Sequence, residues 1–283
     1  MGYIEYDQKI IQRMRGIQLE ILDEVVRICK KHDIQYFLIA GTLLGAVRNQ
    51  GFIPWDDDID IGMTRKDYDK FIETAKEELS DEYYMHNMVT DYSFWDIFTK
   101  IKKNNTEFLV DRTIGKNTHK GIYIDIFPFE NANAISSLPI KIQSLFKVAI
   151  LDWIHYRHGF KKIKELSYRF VSILFIPFSN QTLLRMANSV MTWNRNDESE
   201  YLISYAGIYS YRKDAVARNK LLPLKKIKFE GKEYYGMNDN DDYLARLYGD
   251  YMKLPPENER VNHTAYNISF TNGVSRRNNK IYK

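Results

Sequence analysis

Three aspartates at alternate positions form the pattern with the clearest chemical meaning. Asp56, Asp58 and Asp60 lie in the segment PWDDDIDIGM, residues 54–63. Side chains on a β-strand alternate between its faces, so these carboxylates share one face if the strand extends that far. Their Cα atoms would then be about 6–7 Å apart, and their oxygens could converge on one divalent cation. Bound Mg²⁺ or Mn²⁺ would also relieve the repulsion between them.

A solvated acidic turn is the alternative explanation for these aspartates. Ile59 and Ile61 alternate with the acids and indicate that the opposite face of the strand is buried. This pattern favours a metal site over an exposed turn for Asp58 and Asp60. For Asp56 the two explanations are equally good.

Asp125 is a further acid, set among apolar residues in the strand-like segment GIYIDIF, residues 121–127. A buried carboxylate without a partner is costly. A metal shared with the first acids would provide that partner, and a hydrogen-bonded core aspartate is the alternative. The sequence therefore predicts Asp125 as a third metal ligand and as the candidate general base.

A glycine-containing turn lies upstream of the acids, and the segment between them is long enough for a short helix. Gly41 and Thr42 directly follow the apolar run YFLIA, residues 36–40, and Gly45 comes shortly after. Glycine lets a backbone approach a phosphate closely, and the first amides of a helix bind anions. A simple helix start, with Thr42 near the cap, explains the same residues without a ligand.

The elements that would carry these residues alternate between helical and strand-like patterns. Helices are predicted over residues 7–31 and 65–80, strands over 36–40 and 58–63, and several short strands over 83–127. Residues 131–200 have helical patterns, and residues 201–262 hold short elements. This order predicts an α/β or α+β fold, with a mixed sheet flanked by helices and an additional helical subdomain. The expected division is 1–130, 131–200 and 201–283, the last part ending in a mobile tail.

Composition limits the function classes. The 283 residues include 41 basic and 37 acidic ones, and the net charge of +4 argues against a dedicated nucleic-acid-binding protein. The single cysteine, Cys29, excludes an internal disulfide, and no secretory signal is visible, which together predict a cytoplasmic location. The longest apolar runs, residues 145–154 and 170–178, are too short to span a bilayer.

The basic, aromatic-rich stretch 138–186 could lie on an anionic membrane surface. It contains Lys141, Lys147, Arg157, Lys161, Lys162, Lys164, Arg169 and Arg185. Such a stretch would bring the protein to the inner face of the membrane. A helical subdomain packed on the core or across a dimer is an equally good explanation.

Taken together, the motifs resemble the LicD family within the nucleotidyltransferase fold superfamily. The resemblance is carried by GTLLGAVR (41–48) with IPWDDDIDI (53–61), by GIYIDIFP (121–128), and by LYGDYMKLPP (247–256) with His263 shortly after. It covers roughly residues 17–130 and 220–265, and is most specific in the first block.

The resemblance implies a transferase that moves phosphocholine from CDP-choline to a sugar of a surface glycan. Relatives transfer other phosphoalcohols, such as ribitol phosphate, from CDP-linked donors. By this similarity Asp58 and Asp60 would bind the metal, with Asp125 as the third acid. Gly41 and Thr42 would contact the donor phosphate. The implied acceptor is a lipid-linked oligosaccharide, or a precursor of teichoic acid or lipopolysaccharide.

Three other residues receive roles in this hypothesis. Arg48 would clamp the donor phosphate, for which a guanidinium is suited; an exposed helix-end arginine is the alternative. His263 would be a second candidate base or a phosphate contact, unless it is an ordinary surface histidine. Trp55 would line the donor pocket, because a quaternary ammonium prefers aromatic rings. The sequence does not select choline over glycerol or ribitol.

Two different functions are compatible with the same acids. A true nucleotidyltransferase would attack the α-phosphorus of a nucleoside triphosphate and release pyrophosphate. A non-catalytic scaffold would keep the fold without the reaction, although it would not need three converging acids.

Overall fold

The computed structural model describes residues 7–91, 93–133, 137–159, 174–207, 211–260, 262–263 and 265–270. The helices in these ranges are α1 (Gln8–Lys31), α2 (Ala40–Asn49), α3 (Arg65–Glu78), α4 (Leu138–Arg157), α5 (Asn180–Met191), α6 (Tyr211–Asp214), α7 (Arg218–Leu221) and α8 (Asn240–Tyr248). The strands are β1 (Phe37–Leu38), β2 (Asp60–Thr64), β3 (Tyr83–His86), β4 (Thr99–Lys103), β5 (Glu107–Val110), β6 (Tyr123–Ala132), β7 (Tyr201–Ile203), β8 (Ala215–Ala217), β9 (Lys225–Phe229), β10 (Lys232–Gly236) and β11 (Ala265–Ser269). A 3₁₀ turn covers Glu257–Glu259.

A seven-stranded mixed sheet organises the fold. Its strands follow the order β1-β2-β6-β4-β3, and β7 pairs with β6 and with β8. The β2–β6 pair is parallel, whereas the other neighbours are antiparallel. Two small sheets pair β9 with β10 and β5 with β11. The predicted mixed sheet with flanking helices is therefore confirmed.

Helix α1 starts where the sequence predicts, and its apolar stripe faces the core. The Asp7 side chain accepts hydrogen bonds from the backbone N–H groups of Lys9 and Ile10, at 2.8 and 3.3 Å. This cap satisfies two of the amides that a helix start leaves unpaired. The buried side chains of α1 recur at helical spacing: Ile11, Met14, Gln18, Ile21, Leu22, Val25, Val26, Ile28 and Cys29. Cys29 is therefore a buried free thiol, as expected.

Two strand predictions were too long. The run 36–40 forms a strand only at Phe37–Leu38, because α2 begins at Ala40. The strand expected to carry the alternating acids begins at Asp60, so it does not extend to Asp56 and Asp58. The cause of this late start is that the preceding backbone bonds to side chains of α1 instead of to a neighbouring strand, as described below.

The helical patterns predicted for residues 131–200 are confirmed in α4 and α5. However, β6 continues through Ala132, so the first residues of this range belong to the sheet. A second apolar cluster forms here, around α4, α5, β7 and β8, beside the main core under the sheet. Trp95 and Ile97 from the loop before β4 also belong to it. The three-part division at 130 and 200 stays a prediction.

Parts of other predictions lie outside the described residues. These are the tail 275–283, residues 170–173 of the second apolar run, and the basic residues Lys161, Lys162, Lys164 and Arg169. In the ranges that the structure describes, no helix combines the length and apolarity needed to cross a bilayer.

Gly62, in β2, is closely packed between two aromatic rings. A Cβ atom there would lie 2.5 Å from the Phe37 ring and 2.8 Å from the Phe129 ring. Gly16, by contrast, lies on exposed α1 surface, and a Cβ there would have no neighbour within 4 Å.

We expect opposite effects of Gly→Ala substitution at these two positions. Gly62→Ala should lower the free energy of unfolding by about 1–3 kcal/mol, since the core must shift to admit the methyl group. Gly16→Ala should raise it by up to about 1 kcal/mol, because alanine is the better helix former. Denaturant titration measures both. Equal effects of the two substitutions would contradict the packing described here.

Candidate active site

The acid-bearing loop between α2 and β2 is tied to helix α1. The Arg15 guanidinium donates to the backbone carbonyls of Ile53, Pro54 and Asp56, at 2.9, 3.0 and 2.7 Å. The Gln18 amide donates to the carbonyl of residue 57 at 2.8 Å. These bonds satisfy backbone groups that a strand would have paired. The loop thus has a fixed shape without belonging to the sheet.

Asp60 and Asp125 lie directly opposite each other on the parallel strands β2 and β6. The Asp125 backbone N–H donates to the Ile59 carbonyl at 2.8 Å, and the Asp60 N–H donates to the Thr42 hydroxyl at 2.8 Å. Thr42 is therefore a backbone support for the acid strand. Its predicted contact with a donor phosphate stays a prediction.

Burial, followed by the crowding of carboxylates, sets the electrostatics of the site. Burial raises the pKa of Asp56 well above its usual range, and the charges of Asp58 and its neighbours raise it further. Burial raises the pKa of Asp60 in the same way, followed by the charges of Asp58 and Asp125. The charges of neighbouring aspartates thus contribute to the raised pKa of both Asp56 and Asp60. Such a group gains from any bound cation.

Two cationic side chains contact the acids. Lys100 on β4 donates to both carboxylate oxygens of Asp125, at 2.6 and 2.7 Å. His263 contacts Asp57 through its Nδ1, at 2.9 Å from Oδ1, and through its backbone N–H, at 2.9 Å from Oδ2. Its Nδ1 also lies 3.9 Å from Asp58. The sequence predicted His263 near the site but did not predict Lys100.

Opposing effects set the protonation of His263. Burial lowers its pKa, but the charge and hydrogen bond of Asp57, and then the charge of Asp58, outweigh burial and raise the pKa to about 9. A ring protonated at neutral pH cannot accept a proton. This arrangement favours His263 as a charged contact over its alternative role as general base.

The donor atoms available to a metal are mainly carboxylate oxygens, which suit Mg²⁺ and Mn²⁺. Among the described residues, Asp57, Asp58 and His263 bring one potential ligand atom each within 4.8 Å of one another. The Nδ1 of His263 is already paired with Asp57, which leaves the carboxylates of Asp58, Asp60 and Asp125 as the candidate ligands. Their mutual repulsion, relieved by a cation, is the observation that fits a metal here.

The two glycines predicted to bind donor make different close approaches. A Cβ on Gly41 would lie 2.8 Å from the Asp56 carboxylate, so the Gly41 backbone borders the acid group. A Cβ on Gly45 would lie 2.4 Å from the Gly51 carbonyl. Gly45 therefore allows α2 to pack against the acid loop. Its role towards a donor stays a prediction.

Arg48 and Trp55 lie at the C-terminal side of the site. Arg48 donates to the Tyr251 carbonyl at 3.1 Å, and its guanidinium carbon is 5.9 Å from the Trp55 ring centre. Arg260, which the sequence did not single out, is closer to the same ring, at 4.6 Å. Arg260 and His263, both from the C-terminal part of the chain, thus lie next to the acid-bearing loop.

The residues missed from sequence had weak signals. Arg15 and Gln18 sit within a helical pattern, where polar residues usually face solvent. Lys100 and Lys102 alternate with apolar residues in TKIKK, residues 99–103, which also describes an exposed strand face. Only the strand register brings Lys100 opposite Asp125.

The chain is similar in sequence to one protein-family model and to several known proteins. Residues 33–144 match the family model described as LicD/FKTN/FKRP, nucleotidyltransferase domain. The chain is 27% identical over 277 residues to the lipopolysaccharide cholinephosphotransferase LicD of Haemophilus influenzae, covering 89% of this chain and 95% of that protein. It is also 46% identical over 48 residues to an uncharacterized protein of Rickettsia prowazekii, covering 17% of this chain and 18% of that protein. The matched domain contains all four clustered aspartates.

The crowded acids predict a metal-dependent change in stability. With a chelator present, Asp60→Asn should raise the melting temperature by about 2–4 °C, because one repelling charge is removed. Added Mn²⁺ should raise the melting temperature of the unaltered protein but not that of the variant.

The exposed Asp81 offers a matched control. Asp81→Asn should leave both the chelated melting temperature and the Mn²⁺ response unchanged. Thermal scans of the three proteins test this, and a full Mn²⁺ response in Asp60→Asn would remove Asp60 from the metal site.

Proposed function

We propose that this chain, a phosphotransferase that belongs to the LicD family, moves phosphocholine from CDP-choline to a sugar hydroxyl of a cell-surface glycan. The similarity to the Haemophilus cholinephosphotransferase, which extends over 89% of this chain, carries the proposal. The cluster of acids would supply the chemistry that such a transfer needs. A lipopolysaccharide or teichoic acid precursor is the proposed acceptor.

The acids would hold one or two divalent cations. Asp58, Asp60 and Asp125 are the proposed ligands of Mg²⁺ or Mn²⁺, and Asp56 is a further candidate. When bound, the metal would supply positive charge to the phosphate oxygens and the leaving group. Around it, the Gly41–Thr42 turn and Arg48 would orient the donor phosphates.

The chemical step exchanges one phosphorus–oxygen bond for another. The acceptor hydroxyl attacks the phosphorus distal to cytidine, the bond to the bridging oxygen breaks, and CMP leaves. The hydroxyl proton must be accepted, and Asp125 is the proposed base. Burial raises the pKa of Asp125, while the charge and hydrogen bonds of Lys100 lower it. His263, whose pKa is raised by Asp57 and Asp58, is proposed to contact phosphate.

Trp55 is the proposed wall of the alcohol pocket. Its ring already has the Arg260 guanidinium at 4.6 Å, so a choline headgroup would compete with this arginine for the same face. A neutral polyol would not. Glycerol phosphate and ribitol phosphate from CDP-polyols are therefore the alternative transferred groups.

Peripheral contact with the inner face of the membrane is proposed for the stretch 138–186. In its described parts it exposes large apolar side chains, namely Leu138, Leu145, Phe146, Tyr156, Leu174, Ile176 and Phe178. A lipid-linked acceptor in the cytoplasm would be presented at such a surface. The modest net charge gives no support to a nucleic-acid partner.

A nucleotidyltransferase reaction is the second candidate, favoured by the name of the matched domain. It would use the same acids but release pyrophosphate from CTP or ATP. The products distinguish the two reactions.

We expect CMP release from CDP-choline in the presence of Mg²⁺ and a glycan acceptor. Parallel reactions with CDP-glycerol, CDP-ribitol, CTP and ATP, followed by chromatography of the nucleotides, measure the preference. Faster CMP release from a CDP-polyol would show that the transferred group is a polyol phosphate and not phosphocholine. Pyrophosphate release from a triphosphate, without CMP from any CDP donor, would show that the chain is a nucleotidyltransferase.

Asp58→Asn should lower kcat by at least about 100-fold, because a neutral amide binds a divalent cation poorly and charge stabilisation is lost. Circular dichroism should show that the variant keeps its fold. Asp81→Asn, at an exposed position, should retain full activity. Near-normal turnover by Asp58→Asn would show that this aspartate is not a metal ligand in the reaction.

A further inference from the structure

A row of four side chains crosses the sheet at the level of the acids. His86 on β3 is paired with Lys100 on β4, Lys100 with Asp125 on β6, and Asp125 with Asp60 on β2. Residues paired in this way on neighbouring strands point to the same face of a sheet. The face therefore carries acids on β2 and β6, and a lysine beside them on β4.

Lys100 is fixed in this row by two aromatic rings. Its ammonium nitrogen lies 3.7 Å from the centre of the Tyr123 ring and 4.9 Å from that of Phe98. Both contacts are close enough for cation–π attraction. They hold the ammonium group beside the acids and keep it from extending into solvent.

The ion pair of Lys100 and Asp125 is largely withdrawn from water. The two side chains are only 15% and 10% exposed. Burying a charge pair costs desolvation free energy that its attraction only partly recovers. Such a pair is readily exchanged when each partner is offered a stronger one. A divalent cation is the stronger partner for the carboxylate, and a phosphate is the stronger partner for the lysine.

We propose that Lys100 binds a phosphate of the nucleotide donor, and that its ion pair with Asp125 holds it in place until donor and metal arrive. When the phosphate binds Lys100, the Asp125 carboxylate is released to bind the metal. Before that exchange, the ion pair partly neutralises the negative charge of the acids. This inference rests on the proposed function, since it assigns a ligand contact within the same site.

Neighbouring lysines on β4 differ from Lys100 in what they contact. Lys102 points to the same face but donates to the His119 carbonyl at 2.5 Å and is only 3% exposed. Lys103 points to the opposite face, where it pairs with Glu82 at 2.5 Å. Lys103 therefore offers a matched control, with the same change of charge on the same strand but outside the acid face.

The test measures two affinities by calorimetry on the full chain: Mn²⁺ alone, and CDP in the presence of Mn²⁺. Lys100→Met should bind Mn²⁺ about tenfold more tightly, because no lysine competes for Asp125. The same variant should bind CDP about tenfold more weakly, because a charge-assisted hydrogen bond is lost. Lys103→Met should leave both affinities unchanged. Lys100→Gln should give the same pair of shifts if the methionine variant does not fold.

The opposite direction of the two shifts is the decisive result. Tighter Mn²⁺ binding with unchanged CDP binding would make Lys100 a counter-ion only and overturn the proposal. Weaker CDP binding with unchanged or weaker Mn²⁺ binding would overturn the exchange with Asp125. Absence of CDP binding by the unaltered protein would also overturn it. Because CDP carries no alcohol, failure of every CDP-alcohol as a substrate would reject the proposed function while leaving the opposite shifts intact.

Discussion

Mutual repulsion among closely spaced, largely half-buried carboxylates is the constraint on which the site depends. Asp56, Asp58, Asp60 and Asp125 lie close enough that each affects the ionisation of others, and burial strengthens that effect. Left to itself, such a group would spread apart. The structure prevents this by fixing the backbone on both sides: through Arg15 at the loop carbonyls, and through the β2–β6 register at the strands. A bound cation would relieve that repulsion.

Charge balance around these acids comes from different parts of the chain. Lys100 approaches from the adjacent strand, and His263 arrives from the C-terminal segment to pair with Asp57. The C-terminal part is thereby joined to the acid loop, and Arg260 extends the same connection to Trp55. A site built from residues so far apart in sequence requires the whole sheet to be folded, which links catalytic competence to the stability of the core.

Local patterns made some of this predictable. Helical periodicity identified α1 and α3, and alternation of acids with isoleucines identified β2 and β6 as the strands of the site. The same alternation wrongly began β2 at Asp58 instead of Asp60, because it cannot show that Arg15 and Gln18 bond to the loop backbone. Lys100 could not be found from sequence, since its importance arises from the β4–β6 register, which depends on non-local pairing. The contact of Arg260 with Trp55 could not be predicted either, because it depends on how the C-terminal part folds back onto the acid-bearing loop.

The central claim is that the carboxylates of Asp58, Asp60 and Asp125 hold the divalent cation that serves phosphoalcohol transfer. Anomalous diffraction from crystals grown with Mn²⁺ and CDP tests it most directly. The account predicts a manganese peak within bonding distance of these carboxylates, with the CDP phosphates beside it. A peak bound instead by Asp57 and His263, or no peak at the acids in crystals that contain CDP, would contradict the account.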